Sequence, residues 1–235
     1  GTLCCGLIEN GMNFILAILI ALAVSAVFGL INGVLVAKVN MPPFIVTLAT
    51  MQIIRGIAYL YSQGSPIRAI DNNFNMLGNG YVSVVPVPVI LFFIVTVIAY
   101  LILHRSKLGM YIFAVGGNKN CAVFSGIKTK RVEIKVYVIC ALCAALSGII
   151  MASRMYSGQP TSGSGIEMDA IAATVLGGAS FSGGSGKITG TVLGILIIGV
   201  MTNGLNILNV DSYYQYVLKG LIILFAIYVD MIKKK

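Results

Sequence analysis

Few of the 235 residues have the types and spacing that chemistry demands. Cys140-Ala-Leu-Cys143 has the spacing of a redox or zinc pair. It sits, however, inside the apolar run from Tyr137 to Ile150, with no second pair and no histidine nearby. Its reading is two buried, small apolar residues. His104 is the single histidine and cannot alone build a metal site or a hydrolase triad. Its place at the end of an apolar run suits an interfacial anchor. Ser182 to Thr189, SGGSGKIT, resembles a phosphate loop, but Ile188 follows Gly186-Lys187 where that motif needs a hydroxyl for magnesium. Phe181 also stands where its first glycine belongs. Gly163-Ser164-Gly165 lacks the third glycine of a dinucleotide fingerprint. Glu167 and Asp169 are a lone acidic pair at the edge of an apolar stretch. No residue therefore qualifies as catalytic, cofactor-binding or metal-ligating, and the chain is expected to perform no covalent chemistry.

The polar residues inside apolar stretches are better pointers. Arg55 lies near the middle of the stretch 44–62, which also holds Thr47, Thr50 and Gln52. A centred arginine costs about 2.5–3.5 kcal/mol on insertion scales, so it must face protein or water. Asn203 and Asn206 are spaced to share one face of the stretch 188–208. Gln159, Pro160 and Thr161 follow the stretch 136–153. Two readings of these groups stay open: hydrogen bonding between helices, or lining of a translocation path. Gly29 and Gly33, and Gly186, Gly190 and Gly194, recur every fourth residue. Such spacing lets membrane helices approach closely.

The elements that carry these residues follow from composition. The chain is 58% hydrophobic and 10% charged, against roughly 25% charged in soluble domains. Lipid is a solvent in which so apolar a chain is stable. Six stretches are apolar enough to span: roughly 12–37, 44–62, 84–103, 136–153, 188–208 and 216–232. A seventh, 168–182, is short and rich in Gly and Ala, and is expected to cross. The expected fold is an all-α polytopic helical bundle of about seven membrane segments, a single transmembrane domain over 1–235.

Basic residues set the orientation. With Lys233, Lys234 and Lys235 in the cytoplasm, Lys38, Arg105, Lys107, Lys119, Lys128, Lys130, Arg131, Lys135 and Lys187 also fall inside, 12 of the 16 basic residues. Glu9, Asp71, Glu167, Asp169 and Asp211 fall outside. The net charge of +9 thus follows from topology and not from nucleic acid binding. On this parity residue 1 lies outside without a signal-type leader, so the sequence reads as lacking N-terminal spans.

The longest inward segment, 105–135, holds Asn118 as a helix N-cap, a short helix from Lys119 to about Ser125, and Gly126 as its stop. Gly116, Asn118, Cys121, Ala122, Phe124 and Gly126 are its candidate docking residues. Cys121, Ala122 and Ser125 are small enough for a groove, and Val123 and Phe124 offer apolar contact.

Several blocks resemble one family, the ribose-type permeases of ABC sugar importers. They are Met41 to Met51 with Arg55-Gly56, Gly116 to Ile127, and Ser157 to Thr161 running into Glu167 to Gly178 and Ser182 to Gly184. Asn203 to Asn206 and Val217 to Leu221 complete them. The resemblance runs from about Gly29 to Asp230. It departs at Met110, where arginine is usual, and over Lys119 to Val123, where the family helix is more charged. It implies a type II ABC importer-like permease in the bacterial inner membrane, multi-pass, with a cytoplasmic C-terminus. The implied partners are a second permease subunit, identical or homologous, two ATPase domains, and an extracytoplasmic sugar-binding protein. The implied cargo is ribose, xylose, galactose or a similar sugar. The segment 105–135 would be the coupling loop. An ion-coupled secondary transporter is the alternative, but it calls for carboxylates or broken helices at mid-membrane, and the clear spans carry no central Asp or Glu. A membrane-embedded enzyme would need clustered carboxylates or a His/Cys site.

Single cysteines in a cysteine-free background test the topology. Position 130 is expected to label with an impermeant thiol reagent only in inverted vesicles, and positions 71 and 211 only in intact cells. Labelling of position 130 from outside sealed cells overturns the orientation.

Overall fold

The computed structural model describes residues 1–232, and almost all of its regular structure is helical. The three C-terminal lysines that anchor the orientation lie outside the described residues. Five helices among the described residues are long and apolar enough to cross a bilayer: α2 (Phe14–Ala37), α3 (Pro43–Ser62), α5 (Val87–Tyr100) with a π turn to Arg105, α8 (Thr129–Arg154) and α10 (Ile188–Ile207). At 1.5 Å per residue, 20 residues give about 30 Å, the thickness of the hydrocarbon core. The last helix, α11 (Ser212–Ile232), also has that length. The chain divides into two compact units.

The first unit comprises residues 1–98 and 128–162. Its axis is the α2–α8 pair, packed along a seam of small residues. A Cβ at Gly29 would sit 2.7 Å from Ala141 Cβ, and one at Gly33 would sit 2.8 Å from Ile134 Cα. The Ser25 hydroxyl donates to the Ala141 carbonyl at 2.8 Å, a bond possible only at such close approach. Pro43 opens α3 at a position where its missing N–H is no loss. At one end of α8, α1 (Thr2–Glu9), α4 (Asn72–Asn79) and strands β1 (Ile67–Arg68) and β4 (Ser157–Gly158) form a small cap. Cys4, Cys5, Phe74, Ile149 and Ala152 are its core. Burial pushes the Cys4 and Cys5 thiols up to about 11 and about 12, so neither is a nucleophile near neutrality. Ser153, fully buried, donates to the Phe74 carbonyl and accepts from the Gly78 N–H, both at 2.7 Å. A short hairpin, β2 (Tyr81–Val82) with β3 (Val85–Pro86), leads into α5.

The second unit comprises residues 99–127 and 163 onward. After the π turn come α6 (Lys107–Gly117), capped by the Ser106 hydroxyl at the Gly109 N–H, and α7 (Lys119–Phe124). His104 stacks on Tyr100 with ring centroids 4.7 Å apart. Helix α9 (Ile166–Leu176) packs antiparallel on α10 and against α11. The helix axes close on glycine: a Cβ at Gly190 or Gly194 would strike the carbonyls of Gly177 and Ala173.

Three expectations need correction. The stretch 168–182 does not cross as one helix. Its 11 helical residues reach about 16 Å, half the hydrocarbon core, and Gly177 and Gly178 end it. Next, 105–135 is mostly helical, because α6 and the first turns of α8 occupy it, so Lys130, Arg131 and Lys135 ride on a helix. Finally, Cys140 and Cys143 are apolar surface of α8, turned away from its seam, and are not buried.

The two kinds of glycine separate by experiment. Gly33→Leu is expected to destabilise the detergent-solubilised chain by about 1–3 kcal/mol, as overpacking does. Gly199→Ala, with nothing within 4 Å of its added Cβ, is expected to be neutral or mildly stabilising. Thermal melting followed by size-exclusion chromatography measures both.

Candidate functional site

The candidate docking helix α7 is built on backbone geometry. The Asn118 side chain accepts from the Cys121 N–H at 3.0 Å, an N-cap bond that starts α7. At the other end the Gly126 N–H donates to the Val123 carbonyl and the Ile127 N–H to the Ala122 carbonyl. This pattern needs the left-handed φ of +78° that Gly126 supplies. The short helix, its cap and its stop stand where the sequence places them.

What α7 presents differs from the sequence expectation. Ala122 is buried within this chain, so it is no part of an outward groove contact. Phe124 is 90% exposed and Val123 53% exposed, while Cys121 and Ser125 are also at the surface. The helix turns its small residue inward and its aromatic residue outward. Phe124 and Val123 together are the apolar surface that α7 leaves uncovered by its own chain.

The same corner holds a contact that the sequence does not announce. Gly116 and Gly117, at the α6–α7 junction, meet Gly183 and Gly184 backbone to backbone. A Cβ at Gly116 would lie 2.7 Å from Gly184 N, and one at Gly184 2.7 Å from Gly117 Cα. Gly183 and Gly184 have φ of +88° and +78°, which side-chain-bearing residues rarely adopt. The SGGSGK stretch is thus a loop held by the Ser180 N–H donating to the Ser185 carbonyl, and it leads into α10. A continuous set of backbone contacts runs from the α7 cap through this loop to the α9–α10 seam.

Within the helices, the candidate polar residues divide. The Thr50 hydroxyl donates to the Asn32 side-chain oxygen of α2 at 2.6 Å, a contact between helices. Thr47 bonds back to the Pro43 and Phe44 carbonyls of its own helix. Arg55 is half-buried in the middle of α3. Asn206 accepts from the Gln215 side chain at 2.8 Å, bridging α10 to α11, while Asn203 is exposed. Gln159 and Pro160 belong to the cap: Gln159 donates to the Ser157 hydroxyl at 3.3 Å, Pro160 is buried and Thr161 is exposed.

One pair was not singled out. Lys219 Nζ lies 2.9 Å from Asp169 Oδ2, joining α11 to the short α9. Lys219 lies about 10 Å along the axis from the start of α11. Its signal in the sequence is the same as that of Arg55, a lone cation in an apolar run.

Comparison with known proteins places these elements. Residues 2–227 match the family described as branched-chain amino acid transport system / permease component. The ribose import permease protein RbsC of Bacillus subtilis (strain 168) is 47% identical over 227 residues, covering 96% of this chain and 70% of that protein. RbsC of Escherichia coli (strain K12) is 44% identical over 234 residues, 98% of this chain and 73% of that protein. The L-arabinose transport system permease protein AraH of Escherichia coli (strain K12) is 42% identical over 205 residues, 87% of this chain and 62% of that protein. No solved structure matches.

Burial separates the roles of two neighbours on α7. Ala122→Arg is expected to lower the melting temperature of the isolated chain by several degrees, because a buried small residue cannot be enlarged without strain. Phe124→Ala is expected to leave it unchanged. Melting curves of the two purified variants, with no partner present, check this.

Proposed function

We propose, of a chain that belongs to the family of permease components of branched-chain amino acid transport systems, that it is the membrane-spanning subunit of an ATP-binding-cassette importer for a small sugar. The observation that carries this reading is the 47% identity to a ribose import permease over 96% of the chain. Relatives that carry ribose, L-arabinose and D-allose in their names support a small monosaccharide as cargo, with ribose foremost.

In this reading the permease works beside a second permease subunit, two ATPase domains below and a sugar-binding protein above. The chain itself does no chemistry. Closure of the ATPases displaces α7, whose exposed Phe124 and Val123 seat in their surface. The displacement passes to the loop at Gly183 and Gly184, because no side chain lies between the touching backbones to absorb it by changing rotamer. From there it reaches the α9–α10 seam, and the helices exchange an inward for an outward opening. In this reading the C-terminus is cytoplasmic, the side that the excess of basic residues favours.

Two measurements test this. Phe124→Asp is expected to weaken co-purification with the ATPase by at least about tenfold, the effect of losing a central aromatic anchor. The variant's own folding should be retained. In proteoliposomes, D-ribose uptake is expected to need ATP, the ATPase and the binding protein. Uptake that proceeds without the ATPase, driven by a sodium or proton gradient, overturns the reading in favour of ion coupling.

A further inference from the structure

A cleft opens beside the Asp169–Lys219 pair. It measures about 270 Å³ and lies within the second unit, between the loop ahead of α9 and one face of α11. Ser164 and Gly165 form one wall, Tyr216 and Gly220 the other, and Asp169 and Lys219 the polar floor. We propose that this cleft is a contact site for the translocated solute inside the permease, one that takes a neutral polyhydroxylated molecule the size of a pentose. This rests on the sugar reading above and names where in this chain that sugar touches.

The chemistry selects the ligand class. Asp169 and Lys219 neutralise each other at 2.9 Å, so the cleft offers hydrogen bonding without net charge. An anion drawn to the lysine is repelled by the carboxylate, and a cation meets the reverse. The salt bridge occupies one carboxylate oxygen and one of the ammonium's three donors. Neither head is sealed: the side chains are 17% and 29% exposed, and both line the cleft. The rest of the lining is mostly apolar, so the cleft sets a few polar groups in an apolar wall, as sites for small neutral solutes do. Tyr216, 65% exposed, adds an aromatic face for the apolar side of a sugar ring. A volume of about 270 Å³ is just below the range of ~300–1,000 Å³ that holds drug-sized ligands, which suits a smaller solute.

The walls keep the cleft open. Gly165 has a φ of +89°, and a Cβ there would touch the Tyr216 ring at 3.9 Å. At Gly220 nothing lies within 4 Å of an added Cβ. Tyr216, Lys219 and Gly220 share a face of α11. Gln215, 7% exposed, fixes that face by donating to Asn206 and to the Val210 carbonyl.

Protection from thiol labelling tests the site. Tyr216→Cys is made in a permease freed of its five native cysteines and purified with its ATPase but without binding protein. A small methanethiosulfonate then reacts with position 216. D-Ribose at ten times its dissociation constant is expected to slow the reaction about tenfold, since only the empty fraction reacts. D-Ribose 5-phosphate, similar in shape but charged, is expected to leave the rate unchanged. Ser164→Cys, on the facing wall, serves if the tyrosine variant does not assemble. Slowing by neither sugar nor phosphate, or equally by both, overturns the proposal. Wild-type uptake is measured in parallel. A permease that imports D-ribose yet shows no protection refutes this site alone, whereas one that imports no sugar refutes the functional reading itself.

Discussion

Everything in this molecule depends on how closely two backbones can approach in lipid. The hydrophobic effect does not press helices together there, because the bilayer is as apolar as the side chains. Dispersion must do the work, and it falls away within a fraction of an ångström. Glycine removes the side chain that would hold the backbones apart. At Gly29 and Gly33 it lets α2 reach α8, and at Gly190 and Gly194 it lets α10 reach α9. Large residues such as Leu19, Phe44 and Val200 face outward, available to lipid or to another subunit. The arrangement inverts that of a soluble protein, with small residues inside and large ones out.

Close approach also decides where polar groups go. A hydroxyl in hydrocarbon without a partner is costly, so polar side chains cluster where backbones already touch. Ser25 bonds the Ala141 carbonyl because Gly29 has brought α8 within reach. Ser153 meets α4 in the same way, where a Cβ at Gly78 would collide with Arg154. Asp169 and Lys219 extend the pattern to full charges, and the pair ties the half-length α9 to α11.

Much of this was legible in the sequence, for reasons that are local. Five spans, the cap at Asn118 and the stop at Gly126 depend on residues within a few positions of each other. The four-residue glycine spacings pointed correctly to seams at Gly29 and Gly33 and at Gly190 and Gly194, but Gly186 lies in the loop ahead of α10. Most of the misses come from pairing over long separations. Nothing near Ala122 says that it faces its own chain and not a partner. Nothing near Gly116 says that its neighbour is Gly184. The failed phosphate-loop motif hid a second use of the same residues: glycines with positive φ, placed for backbone contact instead of for phosphate. The crossing over 168–182 failed because hydropathy counts apolar residues but not whether Gly177 and Gly178 end the helix.

The split personality of α7 then has a physical rationale. In the proposed function α7 passes motion between two bodies, and such a segment needs a firm hold on both. Inward, Ala122 and the Gly116–Gly184 contact are rigid, because nothing in them can change rotamer. Outward, Phe124 is one large side chain on a six-residue helix. A flexible side chain at the inner contact would absorb a displacement of about an ångström by moving among its staggered wells. Backbone against backbone has no such freedom, and so the displacement must go on to the helices behind it.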